Sequence, residues 1–86
     1  MNAVKTNDLK KGMRVQLQNG WFGTVADNMK GNTRMVEVEG YHTEIGSVYA
    51  HDIMRVRNES NPDIWFPIEH TTAQLKLRER VRLMGF

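Results

Sequence analysis

Eighty-six residues, with 12 lysines and arginines against 10 aspartates and glutamates, carry a net charge of only +2 and no cysteine. A chain of this length makes one small domain that buries about 60–65% of its unfolded surface, with neither a disulfide staple nor a cysteine-ligated zinc site. Near-balance of charge excludes a dominant positive field at pH 7, and no run of about 18 apolar residues is present to span a membrane.

The opening Met1-Asn2-Ala3-Val4-Lys5-Thr6-Asn7-Asp8 lacks the apolar core of a signal peptide. With no cysteine to oxidise, the expected location is the cytoplasm. Charge is unevenly spread. Residues 58–70 hold Glu59, Asp63 and Glu69 with no lysine or arginine, whereas residues 71–86 hold Lys76, Arg78, Arg80 and Arg82 against Glu79.

Asp8-Leu9-Lys10-Lys11-Gly12 reads as a turn, with Gly12 permitting a left-handed exit and Leu9 tucked under the first strand. Val15 and Leu17 alternate with Arg14, Gln16 and Gln18, which predicts a strand over 13–18. Asn19-Gly20 then predicts a type I′ hairpin, because both of its central residues need positive φ. A second strand is expected over 21–27, and Asn28-Met29-Lys30-Gly31-Asn32 supplies another turn.

The third strand, 33–39, puts Val36 and Val38 on one face with Arg34, which is expected to snorkel out at the strand end. Met35, Glu37 and Glu39 take the wet face. Tyr41 to Gly46 reads as an irregular connection, and Ser47-Val48-Tyr49-Ala50 as a fourth strand. His51-Asp52-Ile53 is short enough for one 3₁₀-like turn, capped by Asp52. Met54-Arg55-Val56-Arg57 is the fifth strand, with Met54 and Val56 facing in.

Gly12-Met13-Arg14-Val15 through Gly23-Thr24-Val25 resembles the Gly-x-x-Val and Gly-x-Val strands of KOW-type and related SH3-like barrels. Val48-Tyr49-Ala50-His51-Asp52-Ile53-Met54-Arg55-Val56 is similar to their closing segment. The whole chain also resembles small uncharacterised proteins of tailed phages and prophages. The resemblance implies a mainly β fold: a small five-stranded SH3-like barrel over 1–57, closed or nearly so, which hides strand edges.

Residues 58–70 read as a linker around Ile64-Trp65-Phe66, a cluster that either anchors the returning chain or meets a partner. Thr71 and Gln74 fit a capping box opening a C-terminal α-helix at 72–84, within a 71–86 segment packed on the barrel or on a partner. Ala73, Leu77, Val81 and Met84 share one helical face, and Gly85 can end the helix. The competing alternation of Leu75, Leu77, Val81 and Leu83 would make a strand, but Glu79 interrupts it.

No spacing of His42, His51 and His70 matches a metal-ligand motif, Ser47 has no base beside it, and no glycine-rich loop opens a helix. The expectation is therefore a non-enzymatic protein without a cofactor. Two functions compete. One is a protein-interaction module (an adaptor, accessory subunit or inhibitor of a larger host machine), binding a protein partner or a second copy through Trp21, Tyr41, Tyr49, Trp65, Leu75 and Leu83. The other is a nucleic-acid-binding, transcription- or translation-associated module. It would use Lys30, Arg55, Lys76, Arg78, Arg80 and Arg82, with Tyr49, Arg55, Trp21 and Lys30 sharing a rim on which bases stack.

Overall fold

In the computed structural model, which describes residues 4–27 and 33–83, the chain is mainly β with a C-terminal helix. The strands are β1 (Arg14–Leu17), β2 (Phe22–Asp27), β3 (Thr33–Glu39), β4 (Thr43–Tyr49), β5 (Ile53–Arg57) and β6 (Trp65–Pro67), followed by helix α1 (Thr72–Leu83). All six strands lie in one antiparallel sheet of order β4-β3-β2-β1-β5-β6. Strands β4 and β6 are its edges and are not hydrogen-bonded to each other, so the sheet does not close. The turn at 28–32, Met84 and Gly85 lie outside the described residues.

One face of the sheet is dry. Leu9, Val15, Leu17, Val25, Val36, Ile53, Val56 and Ile68 form the core, with Val4, Met13, Val38, Val48 and Phe66 packed against it. The N-terminal segment completes the cover: Val4 bridges Ile68 in parallel, and Glu69 N–H donates to the Val4 carbonyl at 2.8 Å.

The first hairpin forms where expected but with a different loop. Gly20 N–H donates to the Leu17 carbonyl at 2.9 Å, and Leu17 N–H donates to the Trp21 carbonyl at 2.8 Å. Gly20 has φ +91°, and among the described residues no residue other than glycine has positive φ. That excludes type I′. The loop is the three-residue form, a type I turn over Gln18-Asn19 followed by a left-handed glycine. Nothing crowds a Cβ at Gly20, so the cost of a side chain there is conformational alone. Gly20→Val is expected to lower unfolding free energy by about 1–3 kcal/mol; an unchanged denaturant midpoint would refute the loop.

Two bulges break the alternation. Gln16 pairs Arg55 and Leu17 pairs Ile53, leaving Met54 as the extra residue of β5. Ile53 is therefore fully buried and Met54 exposed, the reverse of the expected inward Met54. In β2 the step from Val25–Val36 to Asp27–Met35 leaves Ala26 as the extra residue.

Strand β4 is longer than the sequence implies. The ladder runs unbroken from Glu39–Thr43 to Thr33–Tyr49, and only Gly40-Tyr41-His42 connects the strands. The stretch Thr43-Glu44-Ile45-Gly46 forms a strand because β3 offers it a full row of backbone partners. The 58–70 segment also joins the sheet, as Trp65, Phe66 and Pro67 pair with Arg57, Val56 and Arg55. Proline is tolerated there because β6 is an edge.

Arg34 does not snorkel out. Only 1% of it is exposed, because the 3₁₀ turn Thr6–Asp8 covers the strand end, and Asn7 Oδ1 accepts from its Nη2 at 2.7 Å. Its Nη1 donates to the Thr33 carbonyl at 2.8 Å. Burial lowers the guanidinium pKa from its ordinary value.

The capping box of α1 is formed: Gln74 N–H donates to Thr71 Oγ1 at 3.1 Å, and Thr71 N–H to Gln74 Oε1 at 2.9 Å. The inward face is rotated from the expected stripe. Ala73 is exposed, while Gln74, Leu77, Arg78 and Val81 turn inward at i, i+3, i+4 and i+7. Polar partners decide this rotation. Gln74 Nε2 donates to the buried Thr6 Oγ1 at 2.7 Å, and Arg78 Nη2 donates to the His51 carbonyl at 2.9 Å.

The same Arg78 nitrogen lies 2.9 Å from His70 Nδ1, and His70 Nε2 lies 2.9 Å from the Ile53 carbonyl. Because guanidinium only donates and a carbonyl only accepts, the ring is neutral with its proton on Nε2. Burial lowers the His70 pKa; the Ile53 carbonyl opposes this, Arg78 and His51 add to it, and Asp52 opposes it. The folded value therefore lies below the unfolded one, about 6.5. As pH falls, the unfolded chain takes up the proton first, and stability present above about pH 6.5 is lost through the folded-state pKa. The urea midpoint is expected to fall between about pH 7 and pH 5 and to flatten in His70→Gln. A wild-type profile already flat over that window would remove the latch that the Arg78–His70–Ile53 contacts form between α1 and β5.

Candidate binding cleft

The tip of the first hairpin is tied down on two sides. Asn19 Oδ1 accepts from Trp21 N–H at 3.0 Å, and Gln18 N–H donates to the Asp52 carbonyl at 2.8 Å. Asp52 ends the 3₁₀ turn Ala50–Asp52, which carries no side-chain cap, so the expected capping role is not filled. Its carboxylate instead lies 3.3 Å from His51 Nδ1 and remains about one-third exposed.

Between this tip and the ends of β3 and β4 lies a cleft of about 640 Å³. Leu17, Val38 and Val48 supply its apolar lining, Trp21 an aromatic wall, and Gln18, Asn19 and Asp52 its polar groups. Trp21 is 41% exposed yet held in place. Phe22 pairs with Glu39, so the next residues outward, Trp21 and Gly40, lie side by side. A Cβ on Gly40 would fall 2.7 Å from Trp21 Cη2 and 2.8 Å from Cε3; the indole rests on bare backbone. Tyr41 meets the indole in a T-shaped contact, with centroids 6.0 Å apart and planes at 83°.

A smaller recess of about 340 Å³ shares Gln18 and Asp52 with this cleft and is lined by Tyr49, His51, Arg78, Val81 and Arg82. Tyr49 stacks on the His51 ring at 4.9 Å. His51 is buried, and neither ring nitrogen has a hydrogen-bond partner among the described residues.

The outer face of the sheet carries a different group. Phe22 lies 5.6 Å from Trp65, Arg14 sits 5.7 Å from the Phe22 centroid, and Arg55 sits 5.4 Å from that of Trp65. Arg55 Nε donates to Gln16 Oε1. Arg14 makes a bidentate pair with Glu39; this hydrogen bond raises the Arg14 pKa and lowers that of Glu39. The Glu39 carboxylate is exposed to solvent, which screens the pair.

The expected site residues thus fall in separate places. Trp21 and Tyr41 converge at the cleft mouth, Tyr49 lines the adjoining recess, and Trp65 lies on the outer face. Leu75 and Leu83 are exposed on α1. The expected base-stacking rim is not assembled, because Tyr49 is taken up by His51 and Arg55 by Trp65, and Lys30 lies outside the described residues. Of the helical cations, Arg78 is turned inward, and Arg82 Nη2 donates to both Glu79 carboxylate oxygens at 2.7 and 2.6 Å. Lys76 and Arg80 are exposed.

Sequence reasoning missed the cleft lining of Val38 and Val48, the carboxylate of Asp52 and the seat at Gly40. The last was accessible, since the register of the β2–β3 hairpin alone brings Gly40 beside Trp21. Among the described residues, no three histidine, aspartate or glutamate side chains group as metal ligands, and no helix is long and apolar enough to cross a membrane. No protein-family model matches the chain, and neither a curated protein nor a solved structure matches it.

Proposed function

We propose that this chain is a small SH3-like interaction module that holds a short segment of a partner protein in the cleft beside Trp21. The observation that carries the reading is Trp21 itself: an exposed indole, seated on Gly40 and braced by Tyr41, beside an apolar-lined cleft. Tryptophan and tyrosine offer large contact area with few rotatable bonds, and an anchor already fixed in place loses little entropy on binding. The strand order β4-β3-β2-β1-β5, with a 3₁₀ turn between β4 and β5, supports the SH3-like assignment. Panning a random-peptide display library on the chain tests the reading. Selected peptides are expected to lose at least about tenfold in affinity, roughly 1.4 kcal/mol, on Trp21→Ala. Peptides that bind wild type and Trp21→Ala equally would sink it.

A second reading, single-stranded nucleic acid on the outer face, is favoured by one observation: Arg55 and Arg14 flank the adjacent rings of Trp65 and Phe22. Such a platform binds bases by stacking and phosphates by charge, with steep salt dependence. Its mark would be RNA binding lost on Trp65→Ala and untouched by Trp21→Ala.

A further inference from the structure

Among the described residues, the lining of the cleft itself carries charge of one sign. Of the described residues that line it, Asp52 alone is charged. Glu44 stands directly across the ladder from Val38 and is exposed. Directly opposed residues project their side chains to the same side of a sheet, about 5 Å apart, so Glu44 stands beside the Val38 end of the cleft.

Asp52 has His51 Nδ1 at 3.3 Å, and the arginines that line the adjoining recess are engaged elsewhere. Arg78 is engaged by the His51 carbonyl and His70, and Arg82 by Glu79. Among the described residues, neither makes an ion pair with Asp52 or Glu44. Trp21 adds the negative face of an indole, the strongest side-chain π partner for a cation.

We infer that the partner segment carries a lysine or arginine next to an apolar residue. The apolar side chain fills the space against Leu17, Val38 and Val48, and the ammonium or guanidinium group lies against Trp21 with Asp52 and Glu44 as counter-charges. The inference rests on the cleft reading and adds to it the chemistry of the occupant. Burial of the apolar neighbour supplies the affinity that is common to all occupants, and the two carboxylates supply the selection.

Four end-blocked tripeptides, Leu-Xaa-Leu with arginine, lysine, norleucine or glutamate at the centre, separate the possibilities when titrated into the ¹⁵N-labelled chain. The readouts are the Trp21 Nε1–H and Asp52 amide signals. The arginine and lysine peptides are expected to bind at least about fivefold tighter than the norleucine peptide, with glutamate weakest. That preference is expected to shrink at high salt and to fall below about twofold in Asp52→Asn with Glu44→Gln. The amide spectrum of the double variant reports retention of the fold, and Glu44→Gln alone, which leaves the 3₁₀ turn unaltered, gives a second measure. Equal binding of the arginine and norleucine peptides overturns the inference and leaves the cleft reading standing. No shift at Trp21 with any peptide removes both. Concentration-dependent shifts at Trp21 without peptide would assign the cleft to a second copy of the chain and overturn the inference likewise.

Discussion

Ile53→Ala is expected to destabilise the protein by about 2–5 kcal/mol, as truncations of buried isoleucine and leucine do, whereas Met54→Ala is expected to cost less than about 1 kcal/mol. The two residues are neighbours on one strand, and their order of importance reports the bulge directly. Ile53 has no exposed surface and pairs with Leu17; Met54 is the residue that the register skips. Strict alternation with Val56 facing in would reverse the two values. Denaturant unfolding of both variants measures this, and comparable losses at the two sites would remove the bulge. Part of the Ile53 loss has a second origin. Its carbonyl accepts from His70, so movement of this backbone also loosens the latch that ties α1 to the sheet.

Arg34→Ala is expected to cost about 2–4 kcal/mol, and Arg34→Met less than about 1.5 kcal/mol. Alanine leaves a cavity under the N-terminal turn at a site only 1% exposed. Methionine keeps much of the volume and ends the desolvation of a guanidinium; replacing a buried charge by an apolar group of similar size is often close to neutral. Both variants lose the donors to Asn7 and the Thr33 carbonyl, and Asn7 is exposed, so water can reach its acceptor. Calorimetric unfolding of the two variants separates packing from charge. Equal losses in both would mean that the hydrogen bonds, not the filled volume, hold the N-terminal segment on the sheet.

Much of the sheet was readable from local signals because those signals have a local cause. Val15 and Leu17 alternate with polar residues, and both are buried. Asn19-Gly20 marked the first hairpin, and the sharing of the capping box by Thr71 and Gln74 marked the helix start. Each of these depends on residues within four positions of one another, which a linear sequence displays.

The remaining features depend on partners distant in the chain. Thr43 to Gly46 lacks a repeating apolar pattern, and it is a strand because Glu39, Glu37 and Val36 present matching backbone groups. The inward face of α1 is set by Thr6 and the His51 carbonyl, which receive Gln74 and Arg78; apolar periodicity alone pointed one residue away, to Ala73. Trp65 and Phe66 were legible as too apolar for water, but their pairing with Arg57 and Val56 was not.

The sequence by itself determined that β1, β2, β3 and β5 are extended, where the first hairpin turns and where the helix begins, since backbone propensity and capping act over a few residues. Only the tertiary structure decided that Met54 is skipped, that Arg34 is buried, and that Trp21, Asp52, Val38 and Val48 meet in one cleft. The physical reason is that side-chain direction after a bulge, and the convergence of residues from four elements in one cleft, are set by register and packing across the whole chain.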